Sequence, residues 1–174
     1  MRPYLVALLL DAYAEFDRAI AALPAPGRGG AIGRLNPGAL TVAHVAAQQD
    51  RYFNVAARGI EDDPWLAEFS RRAAEGAFAP PFGEASEAWT RVSAGVRPYL
   101  EGLTDAGLES EVRQLEVWPW PPRVGELVAR SIGHIFAHAG ELAALGSLVG
   151  SPDLGLPGRL PNVTARALGG GSRS

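Results

Sequence analysis

Apolar residues recur at steps of three and four in four long stretches of the chain, and this spacing predicts amphipathic α-helices. In the first stretch, Leu5, Leu9 and Phe16 share one face, whereas Asp11 and Glu15 lie on the other. The four predicted helices cover residues 3–23, 37–58, 83–102 and 123–149. The pattern therefore predicts an all-α fold.

Residues that favour helix ends flank these stretches. The side chain of Asn36 is predicted to cap the second helix, with Pro37 at its first helical position. Gly59 and Gly150 are predicted to end the second and fourth helices. The proline and glycine residues of 24–35 predict a loop.

A long connection separates the second and third helices. Residues 61–81 are too many for a tight turn and include a short predicted helix at 65–74. We therefore expect a four-helix bundle with a long crossover between helices 2 and 3. Residues 108–117 are expected to form a short strand or extended arm. The bundle is assigned to residues 1–150, and residues 151–174 are expected to be an extended or disordered tail.

Length, charge and composition exclude several classes of protein. A chain of 174 residues fits one domain. Its net charge of −3, without a basic stripe, argues against a nucleic-acid partner. No apolar run is long enough to cross a membrane, and the early apolar run lacks a signal-peptide pattern, so we expect a cytoplasmic protein. Cysteine is absent, which leaves soft-metal chemistry to histidine.

The three histidines are the candidates for such chemistry. His134 and His138 are four residues apart, so a helix places them one turn apart on one face. His44 lies in the second helix among apolar residues. One interpretation is a partly buried pair that is satisfied by hydrogen bonds. The other is a site for one divalent ion, where three imidazoles and an open position suit zinc, and added waters suit nickel, iron or manganese.

Two sequence runs resemble the DinB-like superfamily of metal-binding four-helix bundles. They are Leu-Thr-Val-Ala-His-Val at 40–45 and His-Ile-Phe-Ala-His-Ala-Gly-Glu at 134–141, and the resemblance covers roughly residues 3–150. It implies a divalent metal held by His44, His134 and His138. Related proteins include thiol-dependent S-transferases and maleylpyruvate isomerases, which use thiols such as mycothiol or bacillithiol.

The resemblance leads to one functional hypothesis and two alternatives. The first is a metal-dependent transferase that joins an external low-molecular-weight thiol to small electrophilic substrates. A second is a non-catalytic metal-binding or stress-associated homodimer, in which the ion links helix 2 to helix 4. The third is a bundle that keeps the histidines without a metal.

Two polar residues near the histidines are further candidates. Glu141, three residues after His138, is a candidate hydrogen-bond acceptor for a metal-binding histidine, a candidate general base or a candidate ligand; the simpler interpretation is a carboxylate at the bundle rim. Gln48, one turn after His44, could orient that imidazole or contact substrate, but a polar helix position is the simpler interpretation.

Two other pairs are given structural roles. Asp11 and Glu15 are expected on a solvated face. Trp118 and Trp120, held among prolines, could wall a pocket or an interface, but core packing is favoured.

Overall fold

A computed structural model describes residues 2–76, 78–112, 115 and 119–156, so Trp118 and most of the expected 151–174 tail lie outside the described residues. The described part is mostly helical and contains no strand, which confirms the all-α prediction. The strand expected at 108–117 is not found where that segment is described. Leu108 ends a helix, and Glu111 makes only one isolated bridge, to Arg123.

The helices follow one another along the chain. They are α1 (Tyr4–Ala22), α2 (Ala25–Gly29), α3 (Gly38–Gln49), a π-helical segment (Asp50–Ala57), α4 (Pro64–Glu75), α5 (Phe82–Gly102), α6 (Asp105–Leu108) and α7 (Val124–Leu148). The boundaries of the long helices agree with the periodicity to within about two residues. The expected loop at 24–35 is wrong in part because it contains α2, whose proline in the first turn is compatible with a helix.

The helix ends match the sequence signals unevenly. Gly59 and Gly150 adopt positive φ angles of 68° and 93°, as expected for glycines that end helices. The prediction for Asn36 is wrong, because Pro37 is the capping residue and no side chain caps α3. The Asn36 amide instead lies 3.5 Å from Oε1 of Glu141 on α7.

The core joins four long helical segments. α1 packs mainly on α7, and α3 packs mainly on α5, with further contacts between α3 and α7. The ring of Trp89 meets Tyr13 and Phe16 edge-on, at centroid distances of 5.0 and 4.9 Å. Such edge-to-face contacts add to the stabilisation from burial. None of the described helices is long and apolar enough to span a membrane.

Contacts between α3 and α7 show how these two helices run. As residue numbers rise along α3, those of the partners on α7 fall. The pairs, from one end to the other, are Asn36 with Glu141, His44 with His134, and Gln49 with Ser131. The two helices are therefore antiparallel.

The π-helical segment and α5 run in the same direction as α3. Arg28, which lies beside Gly38 at the start of α3, places its guanidinium 5.0 Å from the Phe82 ring at the start of α5. At the far end, the guanidinium of Arg58 lies 5.9 Å from the ring of Tyr99. α4 lies within the connection between these parallel segments.

Two structural expectations for individual side chains are wrong. Glu15 is fully buried and not solvated, and Arg18 donates to its carboxylate at 2.7 Å. Arg18 also bonds the carbonyl of Leu154, so the segment after α7 covers this part of α1. Trp120 is 55% exposed and is not a core residue. Asp11 is half-buried.

Candidate metal centre

The three histidines meet between α3 and α7. His134 and His138 project from successive turns of α7, and His44 faces them from α3. Their ring centroids are 4.5 to 5.2 Å apart. The structure thus brings together the three residues that the sequence singled out.

Two of the three distances between ring nitrogens match a coordination shell. Nε2 of His134 lies 3.0 Å from Nε2 of His44 and 3.2 Å from Nε2 of His138. Each ring offers one nitrogen to a set whose members all lie within 4.8 Å of one another. Nitrogens about 2.05 Å from a zinc ion are about 2.9 Å apart at a right angle and about 3.3 Å apart at the tetrahedral angle. Both short distances fall between these values.

Hydrogen bonding alone satisfies this cluster poorly. Glu141 Oε2 lies 2.8 Å from Nδ1 of His138, and an ionised carboxylate only accepts, so Nδ1 carries the proton. In neutral His138, Nε2 is then unprotonated, and its lone pair faces His134. In a given neutral tautomer, Nε2 of His134 either donates or accepts. It therefore cannot make good hydrogen bonds to both His44 and His138. One cation could receive all three lone pairs.

Electrostatics keep two of these imidazoles in the neutral form that metals require. Burial, followed by the neighbouring His138, His44 and Arg130, lowers the pKa of His134 from 6.5 to about 3. Burial and His138 also lower the pKa of His44, although Glu141 opposes this effect. Both rings are therefore neutral at neutral pH, and protons compete weakly with a cation.

Glu141 lies behind the ring of His138 and not inside the cluster. Its carboxylate and the imidazole are each about one-fifth exposed. The contact to Nδ1 holds the ring so that Nε2 points toward His134. Metal-binding histidines commonly have such a carboxylate partner.

A cavity of about 640 Å³ opens beside the histidines. All three rings line it, together with Gln48, whose carbonyl accepts a 2.8 Å hydrogen bond from the Gln49 amide. Phe69, Ala73 and Phe78, from α4 and the residues after it, supply apolar wall. The volume lies within the range of small-molecule sites.

The cavity wall contains several polar residues that the sequence did not reveal, and three of them bear on its chemistry. Arg51, Arg130 and Thr41 all line it. Thr41 is 2% exposed, and its hydroxyl has no hydrogen-bond partner among the described residues. Nδ1 of His134 is likewise buried and lacks a partner in the described part. These two buried atoms thus lack hydrogen-bond partners among the described residues, although neither is exposed to the cavity.

A chain of hydrogen-bonded, buried polar side chains lies close to the histidines. The hydroxyl of Tyr13 donates to Gln49 at 2.8 Å, and the Gln49 amide donates to Ser131 at 3.2 Å. This chain links α1, α3 and α7 at the point where the π-helical segment begins. It holds α3 and α7 at a set separation, and π-helical segments often occur at functional sites.

The fold and the site define an α-helical protein with a three-histidine cluster on the wall of a cavity. The chain matches no protein-family model, no curated protein and no solved structure.

Proposed function

We propose that this chain is a metal-dependent enzyme, in which His44, His134 and His138 hold one divalent cation beside a small-molecule cavity. The observation that carries the proposal is the convergence of three ring nitrogens at the spacing of a coordination shell. Three protein ligands are typical of catalytic zinc sites, whereas structural sites usually have four. The cavity gives a substrate access to the remaining side of the cluster.

The reaction we propose is transfer of an external thiol to a small electrophile: the thiol proton passes to solvent, the sulfur bonds to the electrophilic carbon, and that carbon releases its leaving group with the electron pair of the broken bond. A divalent cation favours the deprotonated, nucleophilic form of a thiol or a water molecule. The thiol must be external because the chain has no cysteine. In this reaction Glu141 would orient His138, and the apolar wall of the cavity would exclude water. Three imidazoles with an open position suit zinc, and added water ligands would suit nickel, iron or manganese.

Membership of the DinB-like superfamily is part of this proposal. Its support is the pair of histidine-containing runs on α3 and α7, together with the arrangement of the long helices. α1, α3 with its π-helical extension, α5 and α7 would form the four-helix bundle, and the connection that contains α4 would be the crossover between helices 2 and 3. Parallel neighbours such as α3 and α5 require a crossover and not a hairpin. A cytoplasmic location is also proposed.

Turnover with defined thiols tests the catalytic proposal. Bacillithiol, mycothiol or glutathione would be incubated with a panel of electrophiles, and loss of free thiol would be followed with zinc-loaded and with chelator-treated protein. We expect consumption that requires the cation and disappears in His44→Ala. Arg2→Gln is a matched surface control because Arg2 lies outside the cavity and pairs with Glu101. Turnover that survives chelation and His44→Ala would contradict the proposal.

A structural role is the second candidate, and the position of the cluster favours it. One cation held by His44 and the two histidines of α7 would link two helices, and a ligand that binds only the folded state stabilises it. A homodimer would be compatible with this role. Metal-dependent thermal unfolding without thiol consumption would support the structural role over the catalytic one.

A further inference from the structure

Gln48 lies on the cavity wall, one turn after His44 on α3. Residues four apart on a helix lie on the same face, so the amide of Gln48 and the imidazole of His44 share the side of α3 that borders the cavity. The side chain of Gln48 is half-buried. A molecule in the cavity can therefore contact this amide while it lies beside the histidines.

A hydrogen bond from the neighbouring residue determines which end of the Gln48 amide remains available. Nε2 of Gln49 donates to Oε1 of Gln48 at 2.8 Å. An amide side chain has an oxygen that accepts and a nitrogen that carries two donors. The oxygen of Gln48 is held by Gln49, whereas Nε2 of Gln48 has no hydrogen-bond partner among the described residues. The two N–H donors of Gln48 thus remain for a bound molecule.

Buried contacts fix the orientation of Gln49 in turn. Its side chain is fully buried, its Oε1 accepts from the hydroxyl of Tyr13 at 2.8 Å, and its Nε2 also donates to Ser131 at 3.2 Å. Burial raises the pKa of Tyr13 far above its usual value, so the hydroxyl keeps its proton. Reversal of the Gln49 amide would deprive this buried proton of its acceptor, which costs free energy. The contacts in the core therefore set the orientation of the amide at the cavity.

The opposite part of the wall supplies apolar surface. Phe69 and Phe78, whose ring centroids are 6.4 Å apart, line the cavity together with Ala73. Apolar groups that leave water for such a surface gain free energy from burial. Binding sites for small molecules commonly combine apolar walls with a few polar groups that fix orientation. This cavity has both features, with Gln48 as an oriented donor.

We propose that Gln48 is a specificity-determining residue, which donates from Nε2 to the carbonyl oxygen of a substrate whose apolar body packs against Phe69 and Phe78. The substrate class is then a carbonyl-bearing electrophile with an aromatic or aliphatic body. As a substrate class, this inference rests on the proposed function, because the reaction would occur at the neighbouring histidines. The hydrogen bond would orient the substrate relative to them. Recognition of the carbonyl itself does not require the metal.

Equilibrium dialysis of metal-free protein with two matched probes tests the inference. One probe, 2-acetylnaphthalene, has a carbonyl group, and the other, 2-isopropenylnaphthalene, has a CH₂ group in place of the carbonyl oxygen. Metal-free protein is used because a carbonyl oxygen could also bind a metal ion. The measured quantity is the dissociation constant of the alkene divided by that of the ketone, which we call the ketone preference. Comparison of this ratio between variants cancels the different hydrophobicity of the probes.

Replacement of the glutamine tests the proposed donor. Gln48→Leu removes both N–H donors and keeps a side chain of similar size, so the ketone preference should fall by about three- to tenfold. Arg2→Gln is the control outside the cavity and should leave the ratio unchanged. An unchanged ketone preference in Gln48→Leu would overturn the inference. A preference that survives in Gln48→Leu and disappears in His44→Ala would assign the carbonyl to a histidine instead.

Tyr13→Phe tests the orientation that the core imposes. Gln48 is retained in this variant, but Gln49 loses the donor that fixes its amide. We expect the ketone preference to fall by about two- to threefold, with the affinity for the alkene unchanged. Circular dichroism would check that the fold is retained. An effect on packing alone would weaken both probes equally and leave the ratio unchanged, which would contradict the orienting role of Gln49.

Zinc titration of the same samples separates this inference from the proposed function. A ketone preference that depends on Gln48, in a protein without any capacity for zinc, would leave the carbonyl site standing and refute the metal-dependent reaction. Zinc binding and metal-dependent thiol consumption without such a preference would refute the role of Gln48 alone.

Discussion

Removal of the Glu141 carboxylate should weaken metal binding without removing a ligand. Glu141 accepts from Nδ1 of His138 at 2.8 Å, and this bond keeps the lone pair of Nε2 directed at the cluster. Without the carboxylate, the imidazole is free to change tautomer or rotate, and both changes take Nε2 away from the metal. Glu141→Ala therefore tests whether the contact has the function we assign to it.

The geometry allows the size of the effect to be estimated. Loss of a partner behind a metal-binding histidine typically costs 10–100-fold in affinity, or about 1.4–2.8 kcal/mol. The contact is short and charge-assisted, but both side chains are about one-fifth exposed, so water partly replaces it. We therefore expect a loss of about tenfold in Glu141→Ala. Glu141→Gln keeps an acceptor and removes the charge, so its loss should be about threefold.

Competition with a chromophoric chelator measures these affinities for zinc. Glu101→Ala is the matched control, since Glu101 forms only an exposed ion pair with Arg2 at 3.5 Å. Urea unfolding of the metal-free variants would show whether the fold is retained. If Glu141→Ala bound zinc as tightly as the wild type while His138→Ala did not bind it, the carboxylate would have no part in holding the site.

Three further predictions concern protons and buried polar groups. The metal-free protein should lose stability as pH falls from about 6.5 towards 3, because the lowered pKa values of His44 and His134 mean that the unfolded state binds more protons in this range. The stabilisation that the two neutral histidines contribute is complete above pH 6.5. Urea unfolding of His134→Gln should show a weaker pH dependence. Thr41→Val should raise the free energy of unfolding by about 1 kcal/mol, because it removes a buried hydroxyl without a partner in the described residues, and a decrease in urea-unfolding stability would contradict this. Tyr13→Phe should lower that free energy by about 1–3 kcal/mol, since it leaves the buried carbonyl of Gln49 without its donor, and an unchanged denaturation midpoint would argue against the polar chain.

The long helices could be predicted because their apolar spacing is local information. Hydrophobic periodicity reports which residues share a face, whatever the rest of the chain does. Periodicity does not identify the buried residues where the backbone departs from the α-helical period. In the π-helical segment the hydrogen bonds reach one residue further than in an α-helix, and Asp50 is buried there at 3% exposure. Asn54 and the backbone of Asp63 satisfy its carboxylate.

Burial of Glu15 depends on contacts between distant parts of the chain. Its position on the polar side of α1 predicts a solvated carboxylate, and within the helix this carboxylate pairs with Arg18, one turn later. The segment after α7, however, covers this side of the helix, and Ser151 bonds the carbonyl of Ala22. Periodicity within α1 carries no information about that segment.

The candidate site also contains residues that sequence spacing predicts and residues that it does not. The one-turn spacing of His134 and His138 predicts that they share a face. The apolar residues that flank His44 suggest a core-facing side chain, whereas His44 is exposed on the cavity wall. Arg51 and Arg130 could not be assigned to the site from spacing alone. Their position at one end of the cavity follows only when α3 and α7 are known to be antiparallel.

The most direct test of the central claim is the metal content of protein that is purified without a histidine tag and reconstituted with zinc. Elemental analysis should find about one divalent ion per chain in the wild type. The ion should be lost in His134→Ala, since this ring contributes the nitrogen that lies closest to both neighbours. A metal content near zero in the reconstituted wild type, or an equal content in wild type and His134→Ala, would contradict the account.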